Sequence, residues 1–297
     1  MNCTGRFAPS PTGPLHFGSL MAALASFLDS RSQGGRWLLR IEDLDPPREV
    51  PGASDNIIRT LAHYGLEWDD QVLFQSDRLS IYRKNLDALI SQGLAYPCSC
   101  TRSEMKRRDA LALYDGHCRT HTPRPGTQCA VRALYPAEDV QFHDRIQGNR
   151  LYPGQDGRGD FVIFRRDQLF AYQLAVVVDD AYQRVDQVVR GFDLIDETPR
   201  QIVLQKHLGL VTPSYAHIPV ATNAEGQKLS KQTYAPALSD SDQDRSRNLY
   251  FALEILGQNP PAALREEAAQ TILEWGVSNW HIEAVPRQPG VRPKEWS

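Results

Sequence analysis

The sequence predicts an α/β fold built on a parallel sheet, because short apolar strands alternate with amphipathic helices over residues 1–93 and again from residue 161. Apolar residues between positions 20 and 28 recur at helical spacing, and two glycines at 34–35 follow them as helix-ending residues do. Residues 37–41 then read as a buried strand that ends in a run of carboxylates. Ligands bind such sheets at the carboxyl ends of the strands, so the same pattern predicts where a site lies.

The remaining elements continue this alternation. In the first half the pattern predicts helices over 19–33, 53–64 and 78–92, and a short strand over 72–74. In the second half it predicts strands over 161–165 and 185–190, an apolar segment over 174–178, and a helix that begins at Thr198 with Pro199 in its first position.

Residues 94–160 depart from this pattern and are predicted to be an insertion. They contain a capping box from Thr101 to Glu104, a Pro/Gly loop at 122–127 and two predicted hairpin strands. A linker rich in Ser, Asp and Arg comes after residue 238 and precedes a helical stub. The predicted parts are therefore a first catalytic half (1–93), the insertion (94–160), a second half with a lysine-containing loop (161–238) and a C-terminal stub (239–297).

Composition limits the class of protein. The chain has 297 residues, of which 41% are hydrophobic, and a net charge of −3, so we expect a globular protein in which any RNA contact is local. No apolar leader segment opens the sequence, and no run approaches the roughly 18 apolar residues of a membrane span. These features predict a cytoplasmic protein with no membrane partner, and the lack of a long heptad repeat favours a monomer.

Two short segments predict a split ATP site. Residues 14–19 read PLHFGS between a predicted strand and a helix, which places His16 and the backbone of Gly18 where phosphates favour a helix N-terminus. The chain contains only six lysines, and two of them, Lys228 and Lys231, lie three apart in a Gly/Ser/Thr-flanked loop. That loop would supply movable positive charge to a triphosphate.

Three of the five cysteines predict a structural zinc site. Cys98 and Cys100 lie on a turn, and Cys118 returns after a basic helix, so three thiolates can reach one Zn²⁺. A fourth ligand is required. Spacing alone favours His117, His121 or Cys129, because a tyrosine with a reference pKa of about 10 binds zinc only after losing its proton.

Several motifs resemble the catalytic core of class I glutamyl-tRNA synthetases. They read RFAPSPTG at 6–13, HFGS at 16–19, RIEDLD at 40–45, LFAYQLAVVVDD at 169–180, VRG at 189–191 and KLSK at 228–231. The match spans about residues 5–235, with the motifs in the family's order. The resemblance implies a Rossmann-type catalytic domain that uses ATP and Mg²⁺ to convert L-glutamate into glutamyl-adenylate.

Glutamate has two carboxylates and one ammonium, so its site needs forked cations and an acidic partner. By the resemblance, Arg6, Tyr172 and Arg190 face the side-chain carboxylate, while Ser10 and Glu42 hold the amino end. The full predicted glutamate site is Arg6, Phe7, Ala8, Pro9, Ser10, Glu42, Tyr172 and Arg190.

The resemblance also assigns the groups that handle ATP and zinc. The ATP site is predicted to comprise His16, Gly18, Ser19 and Lys231, and the catalytic groups His16, Lys228 and Lys231. His16 and Lys231 would neutralise charge on the transferring group and on the leaving pyrophosphate. For the metal, the resemblance selects Tyr114 as the fourth ligand beside Cys98, Cys100 and Cys118.

Two departures from the family pattern point to a subgroup. Phe17 and Ser19 replace the family's usual aliphatic residue and His or Asn, and only about 65 residues follow the lysine loop, where family members carry an anticodon-binding region. The chain is similar to a subgroup that lacks this region. That similarity implies transfer of glutamate to queuosine at the wobble position, with the anticodon loop of tRNA(Asp) as partner.

Three other interpretations remain open from the sequence. The first is a truncated glutamyl-tRNA synthetase that charges a tRNA 3′ end, and the second is a nucleotidylyltransferase or other adenylate-forming ligase with a similar His-x-Gly-x loop. The third is a non-catalytic paralogue, which the presence of both Glu42 and Lys231 disfavours.

Overall fold

The structure is a computed structural model that describes residues 3–154, 159–222, 237–239 and 241–292. The first half has the predicted alternation of strands and helices. Strands β1, β2 and β3 form a parallel sheet in that order, and β3 is longer than predicted. The elements are β1 (Thr4–Phe7), α1 (Phe17–Arg31), β2 (Arg36–Ile41), α2 (Ala53–His63), β3 (Asp69–Phe74) and α3 (Leu79–Ser91).

The middle region contains β4 (Ala95–Cys98), α4 (Arg102–Arg107), α5 (His117–Thr120), β5 (Ala130–Ala133), β6 (Val140–Asp144), β7 (Gly148–Tyr152) and β8 (Phe161–Phe164). The predicted capping box is confirmed, because the Thr101 hydroxyl accepts from the Glu104 amide and the Glu104 carboxylate accepts from the Thr101 amide. Strands β4, β5 and β8 form an antiparallel sheet, and β6 and β7 form a hairpin. Strand β8 begins at residue 161, so this sheet crosses the predicted end of the insertion.

The second half contains α6 (Tyr172–Tyr182), β9 (Gln187–Gly191), α7 (Thr198–Leu208), β10 (Ser214–Ile218) and β11 (Val220–Ala221). The apolar segment 174–178 lies inside α6, and residues 173–180 are buried on every side of this helix. Thr198 is the first residue of α7, so Pro199 takes the second position rather than the first. Strands β9, β10 and β6 run parallel, and β7 closes that sheet at its edge.

The two parallel sheets meet between β1 and β9. The amide of Asp186, just before β9, donates to the carbonyl of Thr4 at 3.1 Å, and the Thr4 amide donates to the Asp186 carboxylate at 2.8 Å. Helix α1 packs across both β1 and β9. The carboxyl ends of strands from both halves therefore face one common edge, as the α/β prediction requires.

The C-terminal region is helical, with α8 (Asp242–Ile255) and α9 (Ala269–Asn279) packed on α1, and β12 (Gly290–Val291) paired with β11. Buried Asp29 of α1 accepts two hydrogen bonds from Arg145, at 2.6 and 2.9 Å, and one from the indole of Trp280 at 3.1 Å. This carboxylate ties together α1, the segment after β6 and the C-terminal region. Among the described helices, none combines the length and apolar character needed to cross a membrane.

Candidate active site

A cavity of about 670 Å³ opens at the carboxyl ends of β1, β9 and β10. Most of the predicted glutamate and ATP residues line it, and these are Arg6, Phe7, Ala8, Pro9, Ser10, His16, Gly18, Ser19, Tyr172 and Arg190. Glu42 lines a smaller adjoining cavity of about 170 Å³, which shares Ser10, Thr12 and Tyr172 with the large one. The fold thus brings residues from both halves of the chain to one continuous site.

His16 forms the N-cap of α1. Its backbone is extended, and its Nδ1 accepts from the amide of Ser19 at 3.3 Å, so a neutral ring carries its proton on Nε2. The first turn of α1, which includes Gly18, has no acidic residue. A helix N-terminus with no acidic residue in its first turn, at the wall of a large cavity, is suited to an anionic group such as a phosphate.

Lys228 and Lys231 lie outside the described residues, so the structure does not place them. The described residues on either side of that segment do adjoin the His16 loop. Val220 and Ala221 line the large cavity, Ala237 forms a bridge with His16, and the Leu238 amide donates to the Leu15 carbonyl at 3.0 Å.

A buried charge network joins Arg6 to Glu42. One carboxylate oxygen of Asp180 accepts from Arg6 Nε at 3.3 Å and from Arg40 at 2.8 Å, and Arg40 lies 3.4 Å from Glu42 Oε1. Burial raises the pKa of Glu42 to about 7, against the opposing attraction of Arg40 and Arg6. Asp180 behaves differently: burial alone would raise its pKa, but Arg6 and Arg40 hold it below its usual value. The cations near Glu42 therefore do not offset the cost of burying its negative charge, and a ligand ammonium would stabilise its ionised form.

Arg190 is buried and donates from all three of its nitrogens to protein groups. Its Nε donates to His217 Nε2 at 3.0 Å, and Nη1 donates to Tyr172 Oη at 3.3 Å. The other acceptors are Gln201 Oε1, Thr198 Oγ1 and the carbonyl of Leu194. Burial raises the pKa of Tyr172, so its phenol stays protonated. Because the phenol oxygen accepts from Arg190, its own O–H is oriented to donate to another group, which a carboxylate in the cavity could provide.

Sequence reasoning did not find His217 and Asp144. They lie at the ends of β10 and β6, are fully buried, and form a hydrogen bond of 2.5 Å between Nδ1 and Oδ2. Burial lowers the pKa of His217 to about 4, so the ring that accepts from Arg190 is neutral. Seventy-three positions separate the two residues, and neither belongs to a motif that singles it out.

The comparison with known families is decisive for the catalytic region. The family described as "tRNA synthetases class I (E and Q), catalytic domain" matches residues 2–263 of the chain. The chain belongs to this family. Class I membership accounts for the parallel sheet and for a cavity at the carboxyl ends of its strands, and it bears out the resemblance drawn from the motifs.

Relatives within the class I family are similar over nearly their whole length. A glutamyl-Q tRNA(Asp) synthetase of Thiobacillus denitrificans is 53% identical, with 97% of each chain covered. One from Serratia proteamaculans is 50% identical over 97% of this chain and 93% of its own. In fold, the chain is similar to a glutamate-tRNA synthetase from Elizabethkingia anophelis, with a TM-score of 0.82 at 22% identity, over 98% of this chain and 68% of that protein.

The predicted metal ligands of this class I chain lie together beneath α4. The thiol sulfurs of Cys98, Cys100 and Cys118 all lie within 4.8 Å of one another. The Tyr114 hydroxyl oxygen is 3.4 Å from the sulfurs of both Cys98 and Cys100, and it accepts from the Cys118 amide at 3.0 Å. Three thiols and one oxygen at this spacing fit a four-coordinate zinc ion.

The other candidate ligands have different partners. The His121 ring bonds the Thr120 hydroxyl and the His117 carbonyl, and the thiol of Cys129 donates to the Thr127 carbonyl. Two arginines flank the thiol cluster: Arg132 Nε is 3.3 Å from the Cys98 sulfur, and Arg108 Nη2 is 3.2 Å from that of Cys100. These cations could offset the negative charge of metal-bound thiolates.

Proposed function

We propose that this chain activates L-glutamate with ATP, without a tRNA, and transfers the glutamyl group to queuosine at the wobble position of tRNA(Asp). One observation carries the acceptor: relatives that bear the name glutamyl-Q tRNA(Asp) synthetase match the chain at 50–53% identity over 93–97% of their length. The amino acid is supported independently by the two adjoining cavities: buried Arg6 and Arg190 line the large one, and Glu42, whose pKa is raised by burial, lines the smaller one.

In the first step the glutamate α-carboxylate attacks the α-phosphorus of ATP, and pyrophosphate leaves. Arg6, Tyr172 and Arg190 would hold the side-chain carboxylate while Ser10 and Glu42 hold the ammonium, so the α-carboxylate is directed towards the α1 N-terminus. His16 and the first-turn amides there would stabilise the charge that develops on the phosphate. Mg²⁺ would accompany the triphosphate and neutralise the leaving pyrophosphate, and the lysine loop would add Lys228 and Lys231.

In the second step a hydroxyl of the queuosine cyclopentene ring attacks the activated carbonyl. An ester bond forms, the mixed anhydride breaks, and AMP leaves with the bonding electron pair, while the proton of the attacking hydroxyl passes to the departing phosphate or to solvent. The chemistry needs no covalent enzyme intermediate.

We further propose that Cys98, Cys100, Tyr114 and Cys118 hold one structural zinc ion, and that the protein acts as a cytoplasmic monomer. The zinc proposal is supported by the convergence of three thiols and one phenol. A bound zinc would hold the turn after β4 against α5, which are otherwise joined by few apolar contacts.

The test is to incubate the protein with ATP, Mg²⁺ and labelled glutamate, together with tRNA(Asp) that carries or lacks queuosine, or with tRNA(Glu). We expect pyrophosphate exchange without any tRNA and label only on queuosine-containing tRNA(Asp). Label on the 3′ end of tRNA(Glu) would instead establish a truncated glutamyl-tRNA synthetase.

A further inference from the structure

We propose that His217 and Asp144 are positioning residues that fix the orientation of Arg190 and thereby the affinity for the glutamate side-chain carboxylate. This inference rests on the proposed function, because it takes glutamate as the ligand of the large cavity. Neither residue lines that cavity, so both would act through Arg190.

Asp144 is held rigidly at the end of β6. Its Oδ1 accepts from the backbone amides of Ile146, Gln147 and His217, at 3.0, 2.8 and 3.2 Å. Its Oδ2 accepts from His217 Nδ1 at 2.5 Å. With four N–H donors around it, this fully buried carboxylate has one stable orientation and accepts a proton only at a large cost.

The carboxylate determines which nitrogen of His217 carries the proton. Because Oδ2 can only accept, Nδ1 must donate, and the neutral ring then presents the lone pair of Nε2. Arg190 Nε donates to that lone pair at 3.0 Å. Asp144 thus fixes the His217 ring with Nε2 as an acceptor, and that acceptor holds the Nε side of the Arg190 guanidinium.

The remaining contacts of Arg190 do not replace this one. Its Nη1 donates to Gln201 and Tyr172, and its Nη2 donates to Thr198 and to the Leu194 carbonyl, so none of these contacts uses Nε. The Thr198 hydroxyl also lies 3.3 Å from His217 Nε2, beside the Nε contact. The contact to Tyr172, at 3.3 Å, is among the longest and is the one that reaches the cavity wall. If the Nε contact is lost and the guanidinium turns, Nη1 shifts with it, and so does the Tyr172 phenol that Nη1 orients.

Variants that change the His217 tautomer distinguish a positioning role from a purely structural one. In Asp144→Asn, the amide nitrogen faces His217 Nδ1 and donates to it, so the ring must move its proton to Nε2. Two N–H groups then face each other at Arg190. His217→Asn keeps a donor towards Asp144 but loses the acceptor, whereas His217→Gln can place an amide oxygen close to the position of Nε2.

The measurement is glutamate-dependent ATP–pyrophosphate exchange, with glutamate affinity from calorimetry and melting temperature recorded for each variant. Loss of one hydrogen bond to a charged group weakens binding by about tenfold. Asp144→Asn and His217→Asn should therefore raise KM for glutamate by about tenfold, while KM for ATP stays within about twofold of wild type. His217→Gln should stay within about threefold of wild type, because it keeps the acceptor. In the double variant, Asp144→Asn should add little to His217→Gln, since no ring remains to change tautomer.

His207→Asn is the matched control. His207 is half-buried on α7, bonds the Leu134 carbonyl at 3.0 Å and does not line the cavity, so its loss should lower stability without changing KM. The inference is overturned if His217→Asn and His217→Gln have equal KM for glutamate, or if KM rises only in proportion to the loss of melting temperature. In either case glutamate-dependent exchange by the wild type still upholds the proposed function. A wild-type protein without glutamate-dependent exchange would overturn the proposed function itself.

Discussion

Replacing Glu42 with Gln should stabilise the protein at alkaline pH and abolish its affinity for glutamate. The pKa of Glu42 is raised by burial from 4.5 to about 7, and its side chain is only 8% exposed. Below pH 4.5 the folded and unfolded chains both hold the proton, so burial of this group costs nothing extra. As pH rises, the unfolded chain releases the proton first, and the folded state is progressively disfavoured until pH passes about 7.

The size of the effect follows from the shift. Each pKa unit corresponds to about 1.4 kcal/mol, so ionising Glu42 in the folded state costs about 3 kcal/mol at pH 8. Gln has nearly the same volume and no charge to desolvate. The free energy of unfolding of Glu42→Gln should therefore be close to wild type at pH 4.5 and about 3 kcal/mol higher at pH 8.

Urea denaturation of both proteins at the two pH values measures this difference. Glu67→Gln is the control for the substitution itself, since Glu67 is exposed and lines neither cavity. Calorimetry should show that glutamate binding is lost in Glu42→Gln, because the ligand ammonium has no carboxylate to pair with. A stability difference that does not change with pH, or retained glutamate affinity, would refute the reasoning.

Three further predictions concern other parts of the molecule. Lys231→Ala should reduce pyrophosphate exchange by at least about 100-fold with an unchanged melting temperature, as expected for a group that acts on transition-state charge; normal turnover would remove it from the mechanism. Cys118→Ser should lower both the zinc content, by atomic absorption, and the melting temperature, and equal zinc content would contradict the four-ligand site. Asp29→Asn should lower the free energy of unfolding in urea by about 2–3 kcal/mol by leaving Arg145 without its carboxylate, and an unchanged midpoint would contradict that role.

Most of the fold was predictable because local patterns determine it. Helix α1 and strand β2 differ from their predicted bounds by two residues or fewer, since an apolar stripe and a capping residue define one and a continuous apolar run the other. Helix α6 was harder, because its burial on all sides removes the stripe that would show its period. Two hairpin strands were predicted within 94–160 without bounds, and β6 and β7 form such a pair. The pairing of β6 with β10 was not predicted, since no local signal reports a partner so far along the chain.

In the candidate site, too, residues within sequence motifs were predictable and their pairing with distant partners was not. Family motifs located Arg6, Glu42 and Arg190, whose roles remain proposals. The groups bonded to them were given no role: Asp180 lies in the motif at 169–180 and bonds Arg6 across 174 positions. Asp144 and His217, which bond each other across 73 positions, lie in no motif. A buried ionisable residue gives no periodic signal, and its function depends on a partner that only the folded chain supplies.

The two buried networks explain why the site needs both halves of the fold. Arg6 of β1 and Arg40 of β2 share the carboxylate of Asp180, which α6 contributes, while Arg190 of β9 depends on His217 of β10 and Asp144 of β6. Each cation thus reaches its anion through neighbouring strands or the helix that covers them, and burial is tolerated because no charge is left without a partner. Glu42 is less fully compensated: Arg40 lies 3.4 Å away, but burial outweighs that attraction and the pKa of Glu42 is about 7. A ligand that carries an ammonium beside a carboxylate would correct that imbalance, so we expect the pocket to select an amino acid over a simple dicarboxylate.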